Sequence, residues 1–170
     1  MATVPWFQRS FSFDTPLHTW PEVVERFRGL PPRIEDKVRP LSHATLTASD
    51  GGWSILENVG HLLVLDKVFG GRIEDFLAGA PTLRAADLEN KATFAARFNE
   101  WDTGELCRAL RTERERQAAL LDTLTESDFA RTSLHPRLKQ PMRLLDAITF
   151  VCQHDDYHLA RMTELAKKFA

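Results

Sequence analysis

A C-terminal helix is predicted for residues 141–168, which read PMRLLDAITFVCQHDDYHLARMTELAKK. Apolar residues recur through this segment at helical spacing, and His154 and His158 lie on the apolar face. Because residues four apart are one helical turn apart, the two imidazoles point to the same side. A divalent cation satisfies both at once, whereas two core histidines would each need a separate hydrogen-bond partner. The pair therefore favours a metal site inside a helical core.

A third ligand is expected from another helix, because metal sites that keep an open position use three protein ligands. His61 is the candidate, in the apolar segment WSILENVGHLLVL of residues 53–65. The alternative is an ordinary histidine at the boundary of the core. Glu57 lies one turn before His61 and is either a ligand or base, or the third residue of a capping box that begins at Ser54. The Ser-x-x-Glu pattern favours the cap.

Capping patterns and apolar periodicity predict three more main helices. The first covers residues 19–38, begins with a capping box at Thr19 and is broken at Gly29 and the prolines that follow it. The second covers residues 54–77. The third covers residues 102–124, and its buried stripe comprises Leu106, Leu110, Ala118, Leu121 and Leu124.

The segments between these helices are predicted as connections. Residues 1–18 form an arm along the bundle, residues 42–52 a loop and residues 125–139 a connector. Residues 80–101 form a long connection with a short helix, which either roofs the metal site or only crosses the surface. No alternating strand pattern competes with the helices. The fold class is therefore all-α: a single-domain four-helix bundle over residues 1–170, with a metal site between helices two and four.

The charge pattern argues against several classes of partner. With 22 Lys and Arg against 24 Asp and Glu, the net charge is −2, and no basic stripe predicts nucleic-acid binding. The longest apolar stretch, Leu62–Leu65, is too short for a signal or a membrane span, so no membrane association and a cytoplasmic location are predicted. The mixed-charge run Arg111–Arg116 is interpreted as a solvated face. Cys107 and Cys152 are interpreted as small buried hydrophobes.

The sequence resembles a known family. A Trp-Ser-x-x-Glu-x-x-x-His helix followed by a late His-Asp-x-x-His helix is similar to the DinB/YfiT-like superfamily, from residues 9–13 through Leu134–Arg137 to the last helix. The resemblance implies a four-helix bundle, often a homodimer. It also implies a three-histidine site that usually holds zinc or nickel, here with the ligands His61, His154 and His158.

The same resemblance implies a function for the site. Some relatives transfer small thiols such as bacillithiol or mycothiol, which suggests a small-molecule substrate and a low-molecular-weight thiol as partner. This chain carries Arg161 where a glutamine often follows the last ligand by one turn, and that departure leaves the substrate class open. The leading hypothesis is a metal-dependent thiol S-transferase or hydrolase. The alternative is a non-catalytic metal- or ligand-binding bundle with a structural or stress-related role.

Several neighbours of the predicted ligands have two interpretations. Asp155 either orients an imidazole or pairs with a cation on another helix, and Asn58 touches either a ligand or only its own helix. Arg161 is either an anchor for an anionic substrate or half of a surface ion pair. Tyr157 is a candidate donor at the rim, and no catalytic base is identified. The remaining histidines lie in segments predicted as loops and are expected to be dispensable: His18, His43 and His135.

Overall fold

The computed structural model of the protein describes residues 3–170, and four long helical segments form a bundle. The second of these segments packs against the third and the fourth, and the first packs against the third and the fourth. This arrangement confirms the predicted four-helix bundle. The segments are α1 and α2 (Trp20–Arg28 and Leu30–Val38), α4 (Ile55–Leu77), α6 (Thr103–Leu121) and α8 (Leu144–Phe169).

Local capping explains where the central helices begin. The Ser54 hydroxyl accepts a hydrogen bond from the backbone N–H of Glu57 at 3.1 Å, and the Glu57 carboxylate accepts one from the N–H of Ser54 at 2.8 Å. This confirms the predicted capping box of α4. The Asp102 carboxylate caps α6 by accepting a hydrogen bond from the backbone N–H of Glu105 at 2.9 Å. The capping box predicted at Thr19 is wrong, because the Thr19 hydroxyl donates to the Pro16 carbonyl within a 3₁₀ turn and does not cap α1.

Within residues 3–170, three short α-helices and three 3₁₀ turns (Trp6–Gln8, Leu17–Thr19 and Phe98–Glu100) accompany the main segments. Helix α3 covers His43–Thr47, within a segment predicted to be loop, and the Ser42 hydroxyl caps it by accepting from the N–H of Thr45 at 3.2 Å. That prediction is therefore wrong for α3, which is too short to show a period. Helices α5 (Lys91–Ala95) and α7 (Glu126–Phe129) lie in the two later connections. The break between α1 and α2 falls at Gly29, as predicted.

A small antiparallel sheet lies between α7 and α8. Strand β1 (Thr132–Leu134) pairs with β2 (Pro141–Arg143), and Ser133 stands opposite Met142. The predictions of a helix starting at Pro141 and of no strands are both wrong at this point. The carboxylate of Asp146 accepts from the backbone N–H of Arg143 at 3.1 Å, which places the first turn of α8 after the strand.

A buried ionic layer divides the apolar core of the bundle into two clusters. Arg114 is fully buried, and Asp66 and Asp155 are 2% and 3% exposed. These three residues lie at the middle of α6, α4 and α8, with one apolar cluster on each side of them along the bundle. The interpretation of residues 111–116 as a wholly solvated face is therefore wrong at Arg114. Across residues 3–170, none of the helices has the length and hydropathy needed to span a bilayer.

Candidate metal centre

Three histidines from two helices meet inside the bundle. His61 projects from α4, and His154 and His158 project from successive turns of α8. One ring nitrogen of each lies within 4.8 Å of those of the other two, and the Nε2 atoms of His154 and His158 are 3.1 Å apart. All three side chains are buried. The structure thus brings together the three residues that the sequence singled out, between the second and fourth main helices.

The hydrogen bonds around His158 assign the proton on its ring. The Asn58 amide nitrogen donates to the Ser54 carbonyl at 2.7 Å, so its oxygen must face the ring. That oxygen lies 2.7 Å from Nδ1 of His158, which therefore carries the proton and donates it. Nε2 is left with a free lone pair directed at the other imidazoles. Asn58 thus contacts the predicted ligand His158, which is the first of its two interpretations. The hydrogen bond fixes the tautomer and orientation of that ring, as outer partners of metal-binding histidines do.

His61 is held in a similar way from the connection between α4 and α6. Its Nδ1 lies 3.2 Å from the hydroxyl of Thr93 in α5, and that hydroxyl can accept the Nδ1 proton. Nε2 of His61 then also presents a lone pair. Neutral imidazoles with inward lone pairs are the donor set that zinc and other divalent transition metals bind, so the residues present fit a metal ion.

Burial keeps these imidazoles neutral. Desolvation lowers the pKa of His61 to about 4, and it lowers the pKa of His154 and His158 well below the usual range. The neighbouring imidazoles add to the shift at both α8 residues. At neutral pH the site therefore offers metal-binding lone pairs without first releasing protons.

The same burial predicts a pH-dependent stability of the metal-free protein. A histidine whose pKa is lower in the folded than in the unfolded chain contributes stability that is full above about pH 6.5 and is lost as the pH falls toward the folded value. His135, whose pKa burial lowers to about 4, behaves like His61 in this respect. We expect His135→Gln to reduce the pH dependence of the unfolding free energy between pH 7 and 5 by up to ~1.4 kcal/mol per pH unit.

Urea denaturation of the metal-free protein at several pH values measures this dependence. The raised pKa of Asp66 acts in the opposite direction, so the informative quantity is the difference between the protein and its variant. His43→Gln is the matched control, because His43 is exposed. Equal slopes for the protein and the His135 variant would contradict the prediction.

Aromatic rings and the 80–101 connection enclose the three imidazoles. The Trp53 ring lies 4.4 Å from that of His61 between centroids, and the Trp6 ring lies 4.8 Å from that of His154. Phe98 packs directly on Gly60, where an added Cβ would overlap the phenyl ring. The connection therefore roofs the site, which is one of its two interpretations, and Trp6 of the N-terminal arm packs against the ring of His154.

A cavity of about 460 Å³ adjoins the three histidines, a volume typical of small-molecule sites. The walls are mainly apolar and aromatic, contributed by the N-terminal arm, α4, the roof and α8. Polar and charged side chains also line the cavity, among them those of the loop between β1 and β2. The arrangement suits a small organic molecule bound beside the histidines. Among the lining residues are Trp6, Trp53, Leu62, Leu65, Phe69 and Phe150.

The carboxylates near the site have other partners. Both Asp66 and Asp155 accept hydrogen bonds from Arg114, at 2.5–2.9 Å and 2.8–3.3 Å respectively. Asp155 therefore pairs with a cation on a neighbouring helix, the second of its two interpretations. Glu57 is engaged in the capping box, as predicted. Within the described part of the chain, none of these three carboxylates is free to act as a base.

Arg161 and Tyr157 lie at the edge of the cavity. The guanidinium of Arg161 pairs with Asp50 at 3.1 Å and with Glu164 at 2.6 Å, so the ion-pair interpretation is confirmed. The guanidinium of Arg9 lies over the Tyr157 ring, 4.9 Å from its centroid.

Both cysteines are buried as predicted, and burial raises the pKa of Cys107 to about 11 and that of Cys152 to about 12.

Sequence reasoning missed Arg114 and Asp66 as neighbours of the site. Arg114 donates through all three nitrogens to Asp66, Asp155 and the Phe27 carbonyl, which occupies its five N–H groups. It thereby links α4 and α8, the two helices that carry the histidines. A signal was present, because Arg114 is four residues from both Leu110 and Ala118 of the buried stripe.

Fold and site together define a class of protein, a four-helix bundle with a three-histidine candidate metal centre between two of its helices. The DinB superfamily matches residues 17–162, and the chain belongs to this superfamily. Two Bacillus relatives are each named "putative metal-dependent hydrolase". YfiT of Bacillus subtilis is 27% identical over 154 residues, 88% of this chain and 83% of YfiT. The Bacillus licheniformis protein is 31% identical over 122 residues, 69% of this chain and 67% of that protein.

Solved structures show the same fold. YfiT, described as having an unusual four-helix bundle topology, superposes with a TM-score of 0.81 at 23% identity, over 94% of this chain and 93% of YfiT. A mycothiol-dependent maleylpyruvate isomerase superposes with a TM-score of 0.67 at 12% identity, over 89% of this chain and 62% of that enzyme. The predicted DinB/YfiT-like resemblance and bundle fold are thus confirmed.

Proposed function

We propose that the protein binds one divalent metal ion, zinc or nickel, through His61, His154 and His158. The ion would serve a metal-dependent reaction of a small molecule held in the adjoining cavity. The observation that carries the proposal is the convergence of three neutral imidazoles at the wall of an apolar cavity of about 460 Å³. Relatives named as metal-dependent hydrolases support it.

The reaction proposed is attack of a nucleophile, water or a low-molecular-weight thiol, on an electrophilic substrate. A divalent ion with three imidazole ligands supplies a Lewis acid with an open coordination position. The chain's own residues prepare the site: Asn58 and Thr93 orient two of the rings, and Trp6 and Trp53 pack against the rings of His154 and His61. The structural likeness to a mycothiol-dependent enzyme supports the thiol as one nucleophile.

A non-catalytic metal- or ligand-binding bundle is the second candidate. It is favoured by one observation, the engagement of Asp66 and Asp155 with Arg114, which leaves these cavity carboxylates without a base function. A cytoplasmic location, a homodimeric assembly and a single domain over residues 1–170 stay predictions under either function.

Metal analysis and a substrate panel test the proposal. We expect about one zinc or nickel ion per chain in protein purified without an affinity tag. The metal-loaded protein should accelerate reaction of electrophiles with small thiols, or hydrolysis of esters or amides. The rate should rise through the pH range in which the nucleophile deprotonates, and it should disappear after metal removal. Stoichiometric metal with no metal-dependent turnover across thiols, esters and amides would instead support the binding bundle.

A further inference from the structure

Two arginines in the wall of the cavity have no acidic partner. Arg72 projects from α4, and Arg137 lies in the loop between β1 and β2. Nε of Arg72 donates to the Arg84 carbonyl at 3.0 Å, and the Arg137 guanidinium lies 5.1 Å from the centroid of the Phe7 ring. Neither forms an ion pair with a carboxylate of residues 3–170. The nearby carboxylate of Asp75 is instead engaged by the Arg84 guanidinium at 2.8 Å.

His135 adds a third hydrogen-bond donor beside Arg72. Its Nδ1 accepts a hydrogen bond from the backbone N–H of Leu138 at 3.1 Å, so in the neutral ring the proton is on Nε2. That Nε2 lies 3.3 Å from a terminal nitrogen of Arg72, which is also a donor. Two donors therefore face each other across a buried contact. An acceptor placed against both would satisfy them, and a negatively charged acceptor would do so best.

The charges of Arg72 and Arg137 also point to an anionic ligand. Burial is the main cause that lowers the pKa of Arg72 to about 10; the charges of Arg137 and Arg84 act in the same direction, and the nearby Asp75 carboxylate opposes them only in part. Burial also lowers the pKa of Arg137. Two partly buried cations that repel each other are costly unless an anion compensates them. Arg161, in the same cavity, differs because Asp50 and Glu164 already neutralise it.

The two ends of the cavity are joined by an apolar wall. The three histidines lie at one end, and Arg72, Arg137 and His135 line the same continuous space. Along α4, the apolar residues Leu65, Val68 and Phe69 lie between His61 and Arg72, and on the side of α8 the Phe150 ring packs 5.6 Å from that of His135 between centroids. A matching ligand has an anionic group, an apolar middle and a reactive group that reaches the histidines.

We propose that Arg72, Arg137 and the Nε2–H of His135 form a subsite for the carboxylate of a small amphipathic molecule. Guanidinium groups match carboxylates in geometry as well as in charge. The subsite would make small amphipathic carboxylates the substrate class of the proposed function. It rests on that function only for the reaction at the end of the ligand that reaches the histidines.

Binding of 3-phenylpropanoate and of its neutral amide, 3-phenylpropanamide, to the metal-free protein tests the subsite. Calorimetry in low-chloride buffer should show the carboxylate binding about tenfold or more tightly than the amide. Arg72→Gln and Arg137→Gln should each remove most of that preference, and Arg72→Lys should keep part of it because the charge remains. Arg39→Gln is the matched control, since Arg39 is exposed and pairs with Asp36 outside the cavity.

Equal affinity for the acid and the amide would overturn the proposal, as would an Arg72→Gln or Arg137→Gln effect no larger than that of Arg39→Gln. Circular dichroism of each variant establishes that it is folded. Metal content, measured separately on each variant, should match that of the parent protein. Because the titration uses metal-free protein, a failure of the three-histidine proposal shows in the metal content and leaves the anion preference intact.

Discussion

Replacement of Arg114 by methionine is expected to lower the free energy of unfolding by about 3–5 kcal/mol, because it leaves two carboxylates buried without a cation. Asp66 and Asp155 are almost fully buried, and Arg114 holds both. Burial is the main cause that raises the pKa of each carboxyl, and the Arg114 guanidinium is the main group that opposes that rise. The loss should therefore be larger at pH 8 than at pH 5, where the unpaired carboxyls take up protons in the folded variant.

Urea denaturation followed by circular dichroism measures this loss. Arg111→Met is the matched control on the same helix, because Arg111 pairs with Glu35 and Glu115 at the surface and should cost at most ~1 kcal/mol. A combined replacement of Asp66, Arg114 and Asp155 by apolar residues should recover much of the loss. If Arg114→Met and Arg111→Met destabilise equally, the buried layer does not have the assigned role.

Alanine at His61, His154 or His158 is expected to empty the metal site. The fall in metal affinity should exceed the ~10–100-fold that removal of an outer hydrogen-bond partner causes, because a coordinating nitrogen is lost. Asn58→Ala and Thr93→Val, which only release the rings of His158 and His61, should fall within that smaller range.

Elemental analysis after exhaustive dialysis tests the assignment. His18→Ala is the matched control, because His18 lies outside the cavity and should be dispensable for metal retention. All variants should remain helical by circular dichroism, since two apolar clusters form the core without the ion. The bound metal should add stability that grows with the logarithm of one plus the ratio of the free metal concentration to its dissociation constant. Stoichiometric metal retained in any one histidine variant would remove that residue from the ligand set.

The sequence predicted features that depend on local spacing. The Ser54 and Glu57 cap, and the shared helix face of His154 and His158, follow from positions within one or two turns. The third histidine could be paired with them because its helix was recognisable and the motif resembled a family.

The features that were missed depend on contacts distant in sequence. Three-residue strands such as β1 are too short to show an alternating pattern. The burial of His135 depends on the β1–β2 hairpin, which the prediction of a connector over residues 125–139 does not contain. Arg114 lies within a mixed-charge run, and that local pattern indicates a solvated residue although its spacing places it on the buried stripe. Only its carboxylate partners on two other helices make that burial tolerable.

The attachment of the roof constrains how the length of this part of the chain can vary. Three contacts hold residues 93–99 against α4 and its N-cap. The Thr93 hydroxyl hydrogen-bonds to His61, the Phe98 ring packs on Gly60, and the Asn99 side-chain oxygen accepts from the Ser54 hydroxyl at 2.6 Å. An inserted or deleted residue within this stretch would break the spacing of at least one contact. The preceding residues 85–89 are largely exposed and, within the described residues, form no hydrogen bond to α4, so a length change there should disturb the three histidines less, although it would alter the wall of the cavity that residues 85–88 line.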